Sequence, residues 1–210
     1  MIKHFSEESI LLLDKPLNEV EYVVFDLETT GIFPERGDRI IEIGAVKIKN
    51  NFKISKTKFH RLIKTTQTVS DSSFEIHKIT EDELKNGEEE CVAIYDFIDF
   101  ARGSVLVAHD ASKDMAFLKH SLKDYFVENP FDIVIDTLSL SKKIAPLASG
   151  HSLDAIIERY SLRGKSGFKR HRALYDAEVT ALFFRFGVKK LFKNQCFSLF
   201  ELIEFLDRRK

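Results

Sequence analysis

The sequence holds only two cysteines, Cys91 and Cys196, far apart and outside any C-x-x-C or histidine pair. Neither a zinc site nor a disulfide framework is therefore indicated, and both cysteines are read as small core residues. Long apolar runs are also missing. The opening stretch MIKHFSEESILLLDK holds a few apolar residues between charges, far short of the roughly 18 residues a membrane span needs. A soluble, cytoplasmic protein without a membrane partner is expected. Neither internal repeats nor low-complexity blocks occur. Net charge is nearly absent too, at -1, but unevenly so. Residues 161–210 carry 12 Lys plus Arg against 5 Asp plus Glu, or +7, leaving -8 for residues 1–160. A local polyanion-binding face is therefore compatible with a protein that is not basic overall.

What is present suits one globular domain: 210 residues, 44% hydrophobic and 31% charged. The expected division is an N-terminal extension over 1–20, the main domain over 21–190 and a helical tail over 191–210. Tyr22 to Phe25 reads as a buried strand running into the acidic pair Asp26 and Glu28. RIIEIGAVKIK (39–49) and KFHRLIK (58–64) read as two further strands, joined through NNFKIS, so the sheet starts antiparallel. Thr80 followed by Glu83 predicts a capped helix start, and 89–102 a second helix. The apolar strand 104–108 precedes a helix over 112–125, the mark of a parallel, covered part of the sheet. A strand at 133–136, helices at 137–144 and 152–160, a basic loop at 161–170, and helices at 173–190 and 198–206 complete the order.

Asp26 and Glu28, two residues apart on a strand, point the same way. Two carboxylates in one small space need a cation, a proton or water. Asp114 and Asp176 lie on helices whose other residues look core-facing, so their charge needs the same explanation.

Three segments now stand in order: Phe25-Asp26-Leu27-Glu28-Thr29-Thr30-Gly31, Val107-Ala108-His109-Asp110-Ala111-Ser112-Lys113-Asp114, and His171-Arg172-Ala173-Leu174-Tyr175-Asp176-Ala177. Together they resemble the motifs of the DnaQ-like, DEDDh-type 3′–5′ exonucleases, a family that includes the proofreading subunit of bacterial replicative DNA polymerases. The resemblance spans about residues 20–188. It implies an α/β, RNase H-like fold, with a five-stranded mixed sheet flanked by helices on both faces. It implies that Asp26, Glu28, Asp114 and Asp176 bind two divalent cations; hard oxygen ligands suit Mg²⁺ or Mn²⁺. It also implies His171 as general base, a role suited to the range in which histidine titrates. Five residues at about 100° each separate His171 from Asp176 by roughly 140° on a helix. His171 is therefore expected in the glycine-containing loop, swinging inward when substrate binds.

By the same resemblance Thr29, Gly31, Ile32 and Phe33 are expected to meet the terminal nucleotide, with the apolar pair stacking on or splaying its base. Lys165, Lys169, Arg170 and Arg172 are candidate phosphate contacts. His77 and His151 are read as supporting residues, and His109 is assigned no catalysis. Asp110 stands where the family usually has Asn, and Lys113 where it has an aromatic or apolar residue. A Lys113–Asp110 ion pair is expected to cancel much of the added charge. The implied substrate is a single-stranded or frayed 3′ end of DNA. An RNA-trimming enzyme and a non-catalytic nucleic-acid- or polymerase-binding module are the alternatives. A separate DNA polymerase subunit is an expected partner, tethered through the tail after Lys190. The stretch from Gln195 to Phe200 faintly resembles peptides that bind the sliding clamp, although a helix-docking apolar segment explains it equally.

Overall fold

Alternation along the first strand decides where everything else packs. The computed structural model describes residues 6–192 and 197–208. In β1 (Tyr22–Thr29), Val23 and Phe25 point to one face of the sheet and Tyr22 and Val24 to the other. Asp26 and Glu28 continue the second series, so they emerge on the face of Tyr22 and Val24, where the strand leaves its buried first half. β2 (Ile40–Lys49) pairs antiparallel with β1, and β3 (Lys53–Leu62) antiparallel with β2. β4 (Val105–Ala108) runs parallel to β1, and β5 (Val134–Asp136) parallel to β4. The order β3-β2-β1-β4-β5 is the mixed five-stranded sheet expected.

Helices cover both faces. On the side of Val23 and Phe25 lie α4 (Glu90–Ala101) and α5 (Ser112–Asp124), contributing Phe97 and Leu118 to one core. Tyr22 and Val24 instead meet α8 (Ala173–Phe192), whose Phe183 and Phe184 are fully buried among them. α6 (Thr137–Ile144) and α7 (Leu153–Tyr160) pack on that same side. α3 (Glu81–Lys85) starts with the expected capping box of Thr80 and Glu83. Among the described residues no helix is long and apolar enough to cross a membrane.

Several boundaries differ from expectation. β3 begins at Lys53 rather than 58, and the connection shrinks to a 3-10 turn, Asn50–Phe52. Its polar residues lack an apolar repeat because they form the outer strand, where pairing with β2 rather than burial makes the strand. α1 (Glu7–Leu13) and α2 (Asp71–His77) are short helices that the periodicity does not announce. The N-terminal extension and the tail pair with each other: Leu17 N–H donates to Phe197 O at 2.8 Å and Leu199 N–H to Lys15 O at 3.0 Å. In α9 (Leu199–Asp207), Leu199 and Leu202 are buried in the same core as α8. The described part of the clamp-like stretch is thus used in packing, while Gln195 and Cys196 lie outside the described residues. Cys91 is half-buried rather than a core residue.

Candidate active site

Asp26 and Glu28 sit at the end of β1, and Gly44 on β2 stands directly opposite Asp26 in register. At Gly44 the start of α8 comes so close that a Cβ would lie 2.1 Å from Leu174 N and 2.3 Å from Ala173 C. This contact delivers Asp176, on the first turn of α8, to the pair on β1. Ligand atoms of Asp26, Glu28 and Asp176 all lie within 4.8 Å of one another. Asp114 joins from α5: its Oδ1 accepts from Leu27 N–H at 3.1 Å, which anchors it between the two carboxylates of β1.

The cluster is electrostatically expensive. Burial, and then the charges of Asp114, Asp176 and Glu28, hold the Asp26 carboxyl well above the usual carboxylate range. Burial pushes Glu28 up to about 8, with Asp176 and Glu42 adding to the rise. Burial likewise raises Asp114 and Asp176, each to about 7. Asp176 Oδ1 is buried without a hydrogen-bond partner. Four hard carboxylates, mutually repelling, with an unsatisfied oxygen among them, fit a divalent cation.

Arg170 corrects one expectation. Rather than projecting toward solvent, its guanidinium pairs with Asp176 and reaches Asp154 on α7 at 2.6 Å. Arg172 is not placed as a phosphate contact either. It binds Glu42 with Nη2 at 2.8 Å and Nε at 3.0 Å, and Glu83 at 3.4 Å. Glu42 also accepts from Ala173 N–H at 2.8 Å and meets His60 Nε2 at 2.7 Å. This buried carboxylate, missed in the sequence reading, pins the start of α8 to β2. Its partners hold its carboxyl below the ordinary value against the opposing effect of burial. The available signal was a lone acid and a glycine inside an Ile-rich strand.

His171 lies where the geometry of the spacing places it, in the loop two residues before α8. Its backbone is left-handed (φ 64°), and its N–H donates to Asp176 Oδ2 at 3.2 Å. Burial and the neighbouring Arg170 lower its pKa, favouring the neutral ring. Thr29 Oγ1 donates to Gly31 O at 2.6 Å, and a Cβ on Gly31 would strike the Asp38 carboxylate. Beyond that turn Ile32 is 73% exposed and Phe33 40% exposed, with Arg36 stacked on the Phe33 ring. Lys165 and Lys169 are exposed. Glu178, also missed, accepts from Lys165 N–H at 2.5 Å and Ser166 N–H at 2.7 Å and pairs with Lys58, seating the basic loop on α8.

The remaining motif residues support the frame. Lys113 does pair with Asp110, at 2.8 Å. Asp110 has φ 60°, a conformation that Asp and Asn tolerate best among non-glycine residues, so an acid replaces the usual amide without backbone cost. His77 is buried, its Nδ1 accepting from Ile79 N–H at 2.9 Å. His109 Nδ1 meets Thr137 Oγ1 at 3.0 Å, and His151 Nδ1 meets Ser141 Oγ at 2.9 Å.

Comparison with known proteins places this geometry. The profile of the RNase T exonuclease family matches residues 23–184. A DNA polymerase III subunit epsilon-like protein of Rhodobacter capsulatus is 37% identical over 81% of this chain and 24% of its own length. The PolC-type DNA polymerase III of Thermotoga maritima is 40% identical over 82% of this chain and 12% of its own. The chain thus spans a quarter or less of these relatives. Among solved structures, Exonuclease X in complex with 5′-overhanging duplex DNA superimposes with TM-score 0.67 at 26% identity, covering 86% of this chain and 98% of that one. The nuclease domain of 3′hExo, a DEDDh family member bound to rAMP, shares the fold with TM-score 0.70 at 17% identity, covering 84% and 95%.

Proposed function

The chain belongs to the RNase T exonuclease family, with the motifs of the DEDDh type, and from that premise we propose that it removes nucleoside 5′-monophosphates from DNA 3′ ends in proofreading or repair. The observation that carries this reading is the convergence of Asp26, Glu28 and Asp176 within 4.8 Å beside Asp114, all four with raised pKa. Asp26, Glu28, Asp114 and Asp176 would hold two divalent cations, Mg²⁺ or Mn²⁺. When bound, such ions would supply positive charge to a scissile phosphate and make water a better nucleophile.

The protein's own residues do the rest. His171, neutral near pH 7, takes a proton from the attacking water after its ring turns toward the carboxylates; its loop position permits the reorientation that a helical position would not. The new P–O bond forms as the bond from phosphorus to the upstream O3′ breaks. The upstream strand keeps O3′, which is protonated from solvent, and the terminal nucleotide leaves as a 5′-monophosphate. Ile32 and Phe33, exposed beside the site, offer apolar surface for the terminal base. Thr29 and Gly31 shape the turn that presents them, and Lys165 and Lys169 offer charge to the phosphates. A polymerase subunit is the proposed partner in replication.

Release of mononucleotides from 3′-labelled single-stranded DNA, with a matched RNA alongside, tests the reading. Metal-dependent release, abolished in Asp26→Ala and sharply reduced in His171→Ala, is expected. No release by the unaltered protein on either polymer with either ion overturns it in favour of a binding module.

A further inference from the structure

Arg170 sits between two carboxylates, and its nitrogens are divided between them. Nε and Nη2 donate to Asp154 Oδ1 and Oδ2 at 2.6 and 3.3 Å, while Nη1 donates to Asp176 Oδ2. Two sides of one rigid, planar group are thereby committed, which fixes its plane as well as its charge. Asp154 stands on the first turn of α7, a helix held in place by the buried Leu153 and Ile156. The contacts therefore run from a fixed helix, through a guanidinium, to a carboxylate of the site.

At Asp176 the two oxygens have different surroundings. Oδ2 accepts from Arg170 and, at 3.2 Å, from the His171 N–H. Oδ1 is buried and has no partner. With Oδ2 filled, Oδ1 is the atom that Asp176 can offer to a cation shared with Asp26 and Glu28. The same Oδ2 holds the loop. His171 keeps a left-handed backbone, φ 64°, which a non-glycine residue retains where its surroundings impose it. A staple between α7 and α8 would account for the charges, but not for two donors gathered on one oxygen while its twin stays bare.

We infer that Asp154 and Arg170 are positioning residues: they set the Asp176 carboxylate so that Oδ1 serves the cation site, and they hold the backbone from which His171 works. The part played by His171 rests on the proposed nuclease reading; the orientation of Asp176 rests on geometry alone. Arg170 acts through Asp176 and touches neither cation nor substrate in this role. Pinning the His171 N–H leaves its ring free to rotate about χ1, so the clamp and the inward turn of the imidazole are compatible. Groups that orient a metal ligand from behind govern metal affinity or activity by about 10- to 100-fold.

Titration of the full chain with Mn²⁺ alone, read as loss of the free-ion electron paramagnetic resonance signal, tests the clamp without turnover. Arg170→Lys keeps the charge but loses the fork, and should weaken Mn²⁺ binding about 10- to 100-fold. Asp154→Asn, at a side chain 63% exposed, leaves the core intact and should weaken it about tenfold. Because the two residues act as one unit, adding Asp154→Asn to Arg170→Lys should cost no more than about a further twofold, short of the product of the single losses. At saturating Mn²⁺, kcat for mononucleotide release should fall about 10- to 100-fold in Arg170→Lys with KM unchanged. Unchanged Mn²⁺ affinity in Arg170→Lys overturns the inference, since a simple counter-charge survives that exchange. So does a rise in KM alone, which would make Arg170 a phosphate contact. The expected Mn²⁺ pattern in a protein that releases no nucleotide, even unaltered, would retain the orientation of Asp176 and sink the nuclease reading instead.

Discussion

Gly44→Ala puts the architecture of the site under direct test. Ordinary contact begins near 3.4 Å, and the added Cβ would stand 2.1 Å from Leu174 N, so the first turn of α8 must retreat by about 1.3 Å. The obstructing atoms are backbone, and no rotamer change relieves them. Overpacking of this kind costs about 1–3 kcal/mol or more, a melting temperature lower by roughly 2–12 °C for a chain of this size. Function should suffer more. Asp176 follows Leu174 by two residues, and a displacement of about 1 Å at a reacting centre can cost about 100-fold in rate. The assay is kcat/KM for mononucleotide release with Mg²⁺, alongside thermal unfolding in EDTA. Gly150→Ala is the control, since its Cβ would meet only the Ala155 methyl at 3.3 Å. Activity of Gly44→Ala within threefold of the unaltered protein would refute the claim that close approach of α8 to β2 positions Asp176.

Glu42→Gln leaves the Arg172 charge at the edge of the core with only Glu83 as partner, and removing one member of a buried pair costs about 3–5 kcal/mol. Because Arg172 retains some exposure, the lower end is expected, a melting temperature lower by roughly 6–12 °C; a change under about 1 kcal/mol would count against the network. The Glu42 carboxyl titrates below its unfolded value, so its contribution is complete above about pH 4.5 and disappears as pH falls through the folded value, which an acid-unfolding comparison with the variant would show. The four site carboxylates have the opposite sign. Their raised values make ionisation costly above about pH 7 to 8, so in EDTA the protein should gain stability as pH falls from 8.5 to 6. Mg²⁺ competes with those protons and should raise the melting temperature more at pH 8.5 than at pH 6; equal or reversed increments would contradict a shared carboxylate site.

Motif residues were legible because chemistry left a local mark. Asp26 and Glu28 stand out against a buried strand, and Thr80 with Glu83 forms its cap within four residues. Asp110 and Lys113 announce their pairing by opposite charge three residues apart. The partners of Glu42, Gly44, Asp154 and Glu178 were not legible, since each acts on a residue far along the chain. Arg170 and Arg172 read as free basic residues in a loop, yet they turn inward because the acids that neutralise them come from β2, α3, α7 and α8.

The sequence by itself determined the order of the strands and of the longer helices, the face on which the paired carboxylates emerge, and the loop position of His171. Periods of two and of 3.6 residues, caps and turn residues express local sterics and solvation, which any short window of chain contains. Only the tertiary structure decided which charges meet. The approach of α8 to Gly44 and the inward turn of Arg170 depend on contacts between distant segments, and Coulomb and packing energies at a few ångströms exist only once those segments are brought together.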